Sequence, residues 1–107
     1  MNGKTRVCGV IGCPVEHSMS PQMHNFYADR TGLNLAYVPF RVEPQAVGDA
    51  VKGAYALNLL GLNVTVPHKQ RVMEYLVEID EDARAIGAVN TLVRMEGGYK
   101  GYNTDAA

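Results

Sequence analysis

An α/β fold, a mainly parallel β-sheet flanked by helices on both faces, is predicted by three features of the 107-residue sequence. Short apolar runs of strand length alternate with segments whose apolar residues recur every three to four positions. The elements follow one another as βαβαβααββ in a single domain, the pattern of crossover units closed by one hairpin. Hydrophobic residues make up 47% and charged residues 20%, which is globular composition and excludes a disordered chain.

The first strand is Arg6–Ile11, an apolar run that ends at Gly12 and reads as buried on both faces. A breaker-rich loop follows, and Ser20-Pro21 opens a helix whose Met23, Phe26, Tyr27 and Arg30 share one spacing up to Gly32. Leu35–Val42 has strand composition, and Pro39, which cannot donate to a ladder, assigns it to an edge. Glu43-Pro44 opens a second helix with an apolar stripe through Val47, Val51, Ala54 and Leu57. Gly61–Val66 is a third strand, closed by Pro67. A third helix is predicted from about Lys69 to Val77 and a short fourth over Asp80–Ile86. Ala88–Met95 and Tyr99–Asn103 form a hairpin around Glu96-Gly97-Gly98. The sequence stops at Ala107 directly after a strand, where a crossover is expected, so further protein is expected beyond it.

A formal net charge of −1 without basic clustering argues against nucleic acid as a partner. No apolar stretch reaches the ~20 residues of a membrane span, and no signal segment precedes the first strand. No membrane partner and a cytoplasmic location are therefore expected. Cys8 and Cys13 are too close in sequence to frame a disulfide scaffold. With His17 and His24 they match no common zinc spacing, so no metal site is expected.

Ligands of open parallel sheets bind beyond the carboxyl ends of the strands. That rule gathers Ser18 and Ser20, then Thr65 and Lys69, then Asn90, and finally Asn103-Thr104-Asp105. Ser18 and Ser20 put two hydroxyls ahead of a helix start, which suits a carboxylate or phosphate, while on its own the commoner use of such residues is a helix cap by Ser20 and a loop bond by Ser18. Lys69 stands at a predicted helix start, against the preference of the helix dipole, which points either to acid–base use or to a solvated surface lysine. Asp105 offers a carboxylate to Lys69 or to a hydroxylated ligand, or merely closes a turn. Asn90, at the beginning of its strand, is the member that a parallel topology places least firmly. Gly9-x-x-Gly12 lacks the third glycine and the acidic partner of a dinucleotide fingerprint.

Four blocks, Gly9–Pro21 with His24-Asn25, Gly61–Lys69, Gly87–Leu92 and Gly101–Asp105, together resemble the substrate-binding domain of shikimate dehydrogenases. They follow the family's order over essentially the whole chain. The resemblance implies that residues 1–107 form that domain, with NADP carried by a C-terminal Rossmann domain absent here. The reaction implied is reversible reduction of 3-dehydroshikimate to shikimate by NADPH. Ser18, Ser20 and Thr65 then bind the substrate carboxylate. Asn90 and Asp105 hold ring hydroxyls, and Lys69, paired with Asp105, is the catalytic acid and base. Glu81 aligns with a minor contact near the cofactor. His68, where relatives often carry Phe or Tyr, is expected to alter packing beside the lysine rather than the chemistry. The isolated chain is expected to be inactive, and apolar surface exposed by the missing domain to favour a homodimer. A dual quinate/shikimate dehydrogenase and a stand-alone, non-catalytic small-molecule binding module are the alternative readings.

Overall fold

The computed structural model describes residues 6–13, 35–65 and 67–104. Within them six strands form one sheet: β1 (Arg6–Gly12), β2 (Leu35–Arg41), β3 (Gly61–Val64), β4 (Glu78–Ile79), β5 (Thr91–Met95) and β6 (Gly98–Tyr102). Their spatial order is β2-β1-β3-β5-β6-β4. Pro39 lies in β2, which pairs only with β1 and forms one edge of the sheet, as its missing N–H requires.

The pairing bears out the expectation of a mainly parallel sheet only in part. β1 runs parallel to β2 and β3, and β4 runs parallel to β6, but β5 is antiparallel to both β3 and β6. The sheet is mixed because the chain leaving β3 goes out to β4 at the far edge and returns to the end of β3 that it left.

Helix α1 (Val47–Ala56) follows a 3-10 turn at Pro44–Ala46 with proline at its first position. The helix stops where Asn58 adopts a left-handed φ of 64° and the Leu59 N–H bonds back to the Ala54 carbonyl at 3.0 Å. Helix α2 (Glu81–Ile86) is capped by the Asp80 carboxylate, which accepts from the Asp82 N–H, and closes at Gly87 with φ 81°.

The third predicted helix, from Lys69 to Val77, is not an α-helix. Only Arg71–Tyr75 is wound, as a 3-10 segment. Beyond it Val77 N–H donates to Tyr99 O at 3.1 Å and Asp80 N–H to Gly101 O at 2.8 Å, so the chain is drawn into β4. β-branched Val77 and Ile79 favour the extended form, and the ladder to β6 outcompetes a helix of weak propensity. The predicted strand from Ala88 begins only at Thr91, and the hairpin partner spans Gly98–Tyr102.

Alternation along the strands separates two faces. Ile11, Leu62, Val64, Leu92 and Tyr99 pack with Val47, Val51 and Ala54 of α1, with Val72, and with Ala83 of α2. The other face carries Cys8, Tyr37 and Val93, and across its centre the side chains of Asn63 and Thr91. The helix predicted from Ser20 to Gly32 lies outside the described residues.

Candidate functional site

Beyond β3 the backbone is tied down within a few residues. Thr65 donates twice to the Ile11 carbonyl, from its N–H at 3.0 Å and from its hydroxyl at 3.2 Å. The His68 N–H returns to the Thr65 carbonyl at 3.0 Å, and the Lys69 carbonyl accepts from the Val89 N–H at 2.9 Å. Asn90 joins the same edge through its backbone: its carbonyl accepts from Val64 N–H at 2.8 Å, and its N–H donates to Tyr102 O at 3.0 Å. Because β5 is antiparallel to its two neighbours, its beginning lies where β3 and β6 end. Asn90 is thus brought beside Thr65 and Lys69, at the position a parallel β5 would have denied it.

The Asn90 side chain, 1% exposed, is held as firmly as its backbone. Its Oδ1 accepts from the Thr91 hydroxyl at 2.8 Å and from the Thr104 N–H at 3.0 Å. Thr91 in turn accepts from Asn63 Nδ2 at 3.4 Å, and Asn63 Oδ1 accepts from the Tyr37 hydroxyl. Sequence reasoning missed Tyr37, Asn63 and Thr91. The available signal was Asn63, a polar residue inside a strand otherwise fit for burial on both faces.

Lys69 is half-buried, and it precedes a 3-10 turn rather than an α-helix, so the dipole argument for its placement falls away. His68 is fully buried, with Nε2 2.6 Å from the Val42 carbonyl; that nitrogen carries the proton and donates, while Nδ1 is enclosed with no partner among the described residues. The ring fastens the turn bearing Lys69 to the segment after β2, a packing role. Glu81 is exposed in the first turn of α2. Ser18, Ser20 and Asp105 lie outside the described residues, Asp105 one residue beyond Thr104.

At the carboxyl ends of β1 and β2, the Cys13 thiol donates to Glu43 Oε2 at 3.4 Å and Arg41 pairs with Glu43 Oε1 at 3.2 Å. These two bonds, the thiol's first, hold the Glu43 carboxyl below its ordinary pKa. Cys8 is different: burial pushes its thiol up to about 11, so it stays neutral inside β1. An apolar cavity of about 290 Å³ lies between α1 and the β1–β2 edge, lined by residues such as Phe40, Ala50, Leu57 and Leu62. None of Thr65, Lys69 and Asn90 reaches it.

Residues 10–92 match the family described as shikimate dehydrogenase substrate binding domain. Over 105 residues the chain is 58% identical to shikimate dehydrogenase (NADP(+)) of Desulforamulus reducens, covering 98% of this chain and 36% of that protein. The crystal structure of shikimate 5-dehydrogenase from Listeria monocytogenes in complex with shikimate and NAD superimposes with a TM-score of 0.83 at 39% identity, over 98% of this chain and 36% of the other. Ligand-free 5-ketofructose reductase of Gluconobacter sp. strain CHM43 superimposes with a TM-score of 0.81 at 35% identity, over 97% and 38% respectively. The chain therefore spans little more than a third of the length of these relatives.

Proposed function

Since the chain belongs to the shikimate dehydrogenase substrate binding domain family, we propose that it is the substrate-recognising part of an NADP-dependent shikimate dehydrogenase. The observation that carries this reading is the meeting of Thr65, Lys69 and Asn90 at one end of the sheet, where Val64, next to Thr65, bonds to Asn90 and Val89, next to Asn90, bonds to Lys69. A small hydroxylated acid fits such an edge. Hydroxyls of Ser18, Ser20 and Thr65 bind its carboxylate, and Asn90 and Asp105 hold its ring hydroxyls. Asp105 follows Thr104, whose N–H is already bonded to Asn90, which supports its belonging to the same group.

Lys69 is the acid and base of this proposal. As the ring ketone of 3-dehydroshikimate is reduced, negative charge develops on its oxygen, and an ammonium within hydrogen-bond reach stabilises that charge and delivers the proton. In the reverse direction the neutral amine takes the hydroxyl proton. The described residues do not fit a dinucleotide. A Cβ on Gly9 would lie 2.5 Å from the Phe40 ring and 2.7 Å from the Val38 carbonyl, so this glycine serves strand packing rather than a phosphate cradle. NADP binding, with Glu81 at most at its margin, belongs to a further domain in this reading, and the chain alone catalyses no turnover. Among the described residues no helix is long and apolar enough to cross a membrane, and a cytoplasmic location accompanies the proposal.

The Gluconobacter reductase favours a second reading, in which the same edge receives a different polyhydroxylated ketone. Calorimetric titration of the chain with shikimate, quinate and 5-ketofructose separates the readings. Saturable heat with shikimate alone supports the first, heat with 5-ketofructose alone the second, and heat with none of them contradicts both.

A further inference from the structure

The Thr104 backbone N–H can only donate, so the Asn90 side-chain atom facing it at 3.0 Å is the carbonyl oxygen, and the orientation of that amide is dictated. The polarity of the whole row follows. An amide oxygen only accepts, so the Thr91 hydroxyl, 2.8 Å away, spends its proton on Asn90 and has its lone pairs left for Asn63 Nδ2. Asn63 Oδ1 then takes the proton of Tyr37. Asn63, Asn90 and Thr91 are at most 1% exposed, a setting in which a misdirected amide costs a full buried hydrogen bond.

We propose that Thr91 is a positioning residue, which together with Thr104 on the same oxygen, and with Asn63 and Tyr37 behind it, holds the Asn90 amide so that Asn90 meets its ligand as a donor, through the NH2 group. The inference rests on the reading that Asn90 contacts the substrate, and it adds a requirement: the ligand atom at Asn90 is an acceptor, a hydroxyl oxygen engaged through its lone pair. Burial pushes the Tyr37 phenol up to about 12, so the outer member of the row stays a donor at any physiological pH. A carboxylate in place of Asn90 would keep the bonds to Thr91 and Thr104 but have no donor for the ligand.

The test compares the wild-type chain with Thr91→Val, which keeps the shape and removes the hydroxyl, and with Thr91→Ser, which restores it. Two quantities are read: the side-chain NH2 resonances of Asn90 in ligand-free protein, and affinity for shikimate. The expected result is displaced or broadened Asn90 resonances in the valine variant with affinity lowered about tenfold, the worth of one well-aligned hydrogen bond, and recovery of both in the serine variant. Tyr37→Phe, at the half-buried end of the row, supplies the same reading of the Asn90 resonances where the valine variant does not fold. Asn90 resonances unchanged in the variants, whatever their melting temperatures, overturn the proposal. If wild-type protein ignores shikimate while Thr91→Val still displaces the Asn90 signals, the substrate reading fails and the positioning of the amide stands.

Discussion

Lys69 carries the proposed chemistry, yet among the described residues its backbone carbonyl, not its ammonium, is what the fold uses, through the bond from Val89. Lys69→Met is therefore expected to leave thermal unfolding almost unmoved, within about 0.5 kcal/mol, as for other substitutions outside the packed core. The same change is expected to weaken shikimate binding by about ten- to a hundredfold, since a hydrogen bond to a charged group is worth about 1.5–3 kcal/mol. Calorimetry on the two proteins measures both. His68 is the opposite case, fully buried and bonded to Val42. His68→Ala opens a cavity and leaves a carbonyl without its donor, and is expected to cost about 2–4 kcal/mol in a urea titration. Thr65 and Lys69 were readable as members of one strand end because position and chemical type agree there, whereas the place of Asn90 depends on the antiparallel direction of β5. The Tyr37–Asn63–Thr91 row was not, because each member is unremarkable until the antiparallel register sets Asn63 opposite Thr91.

At the scale of elements, glycines separate two kinds of constraint. Gly101 has no room: a Cβ there would lie 2.5 Å from Leu76 Cδ1 and 2.9 Å from Val89. Gly101→Ala is expected to destabilise by about 1–3 kcal/mol through overpacking. Gly53, inside α1, meets nothing within 4 Å, so Gly53→Ala is expected to stabilise by about 0.5–1 kcal/mol through helix propensity. Paired chemical denaturation of the two variants checks the opposite signs. Tyr55 joins α1 to the β5–β6 hairpin: its hydroxyl donates to Met95 O at 3.1 Å and accepts from Gly97 N–H at 3.0 Å, while Arg94 lies 3.8 Å over its ring. The hairpin and the edge strand with Pro39 were legible from local turn and ladder chemistry. β4 was not, because a two-residue strand has no pattern of its own and exists only through its ladder to β6. Nor was the direction of β5, which is decided by where the chain re-enters the sheet and not by the strand's own residues.

Across the whole molecule, three acids, Cys8 and Tyr99 buried and Tyr37 half-buried, respond to alkali in the same direction. Burial pushes Cys8 up to about 11 and both Tyr37 and Tyr99 up to about 12, all above their ordinary values. Between pH 9 and 12 the unfolded chain releases these protons first and binds fewer of them than the native state, so stability falls as pH rises. It is fully present below pH 9 and lost as pH passes through 11 to 12. Urea midpoints are expected to be flat from pH 7 to 9 and to drop by pH 10.5, and in Tyr99→Phe, which also forfeits the bond to Leu59 O, the slope is expected to be shallower. The claim on which the rest depends is that segments distant in sequence build one ligand edge. Nuclear magnetic resonance titration of the chain with shikimate tests it most directly. Shifts concentrated at Thr65, Lys69, Asn90 and Thr104 are the result this account expects. Saturable shifts confined to the α1 cavity around Phe40, Ala50 and Leu62, with those four residues silent, would contradict it.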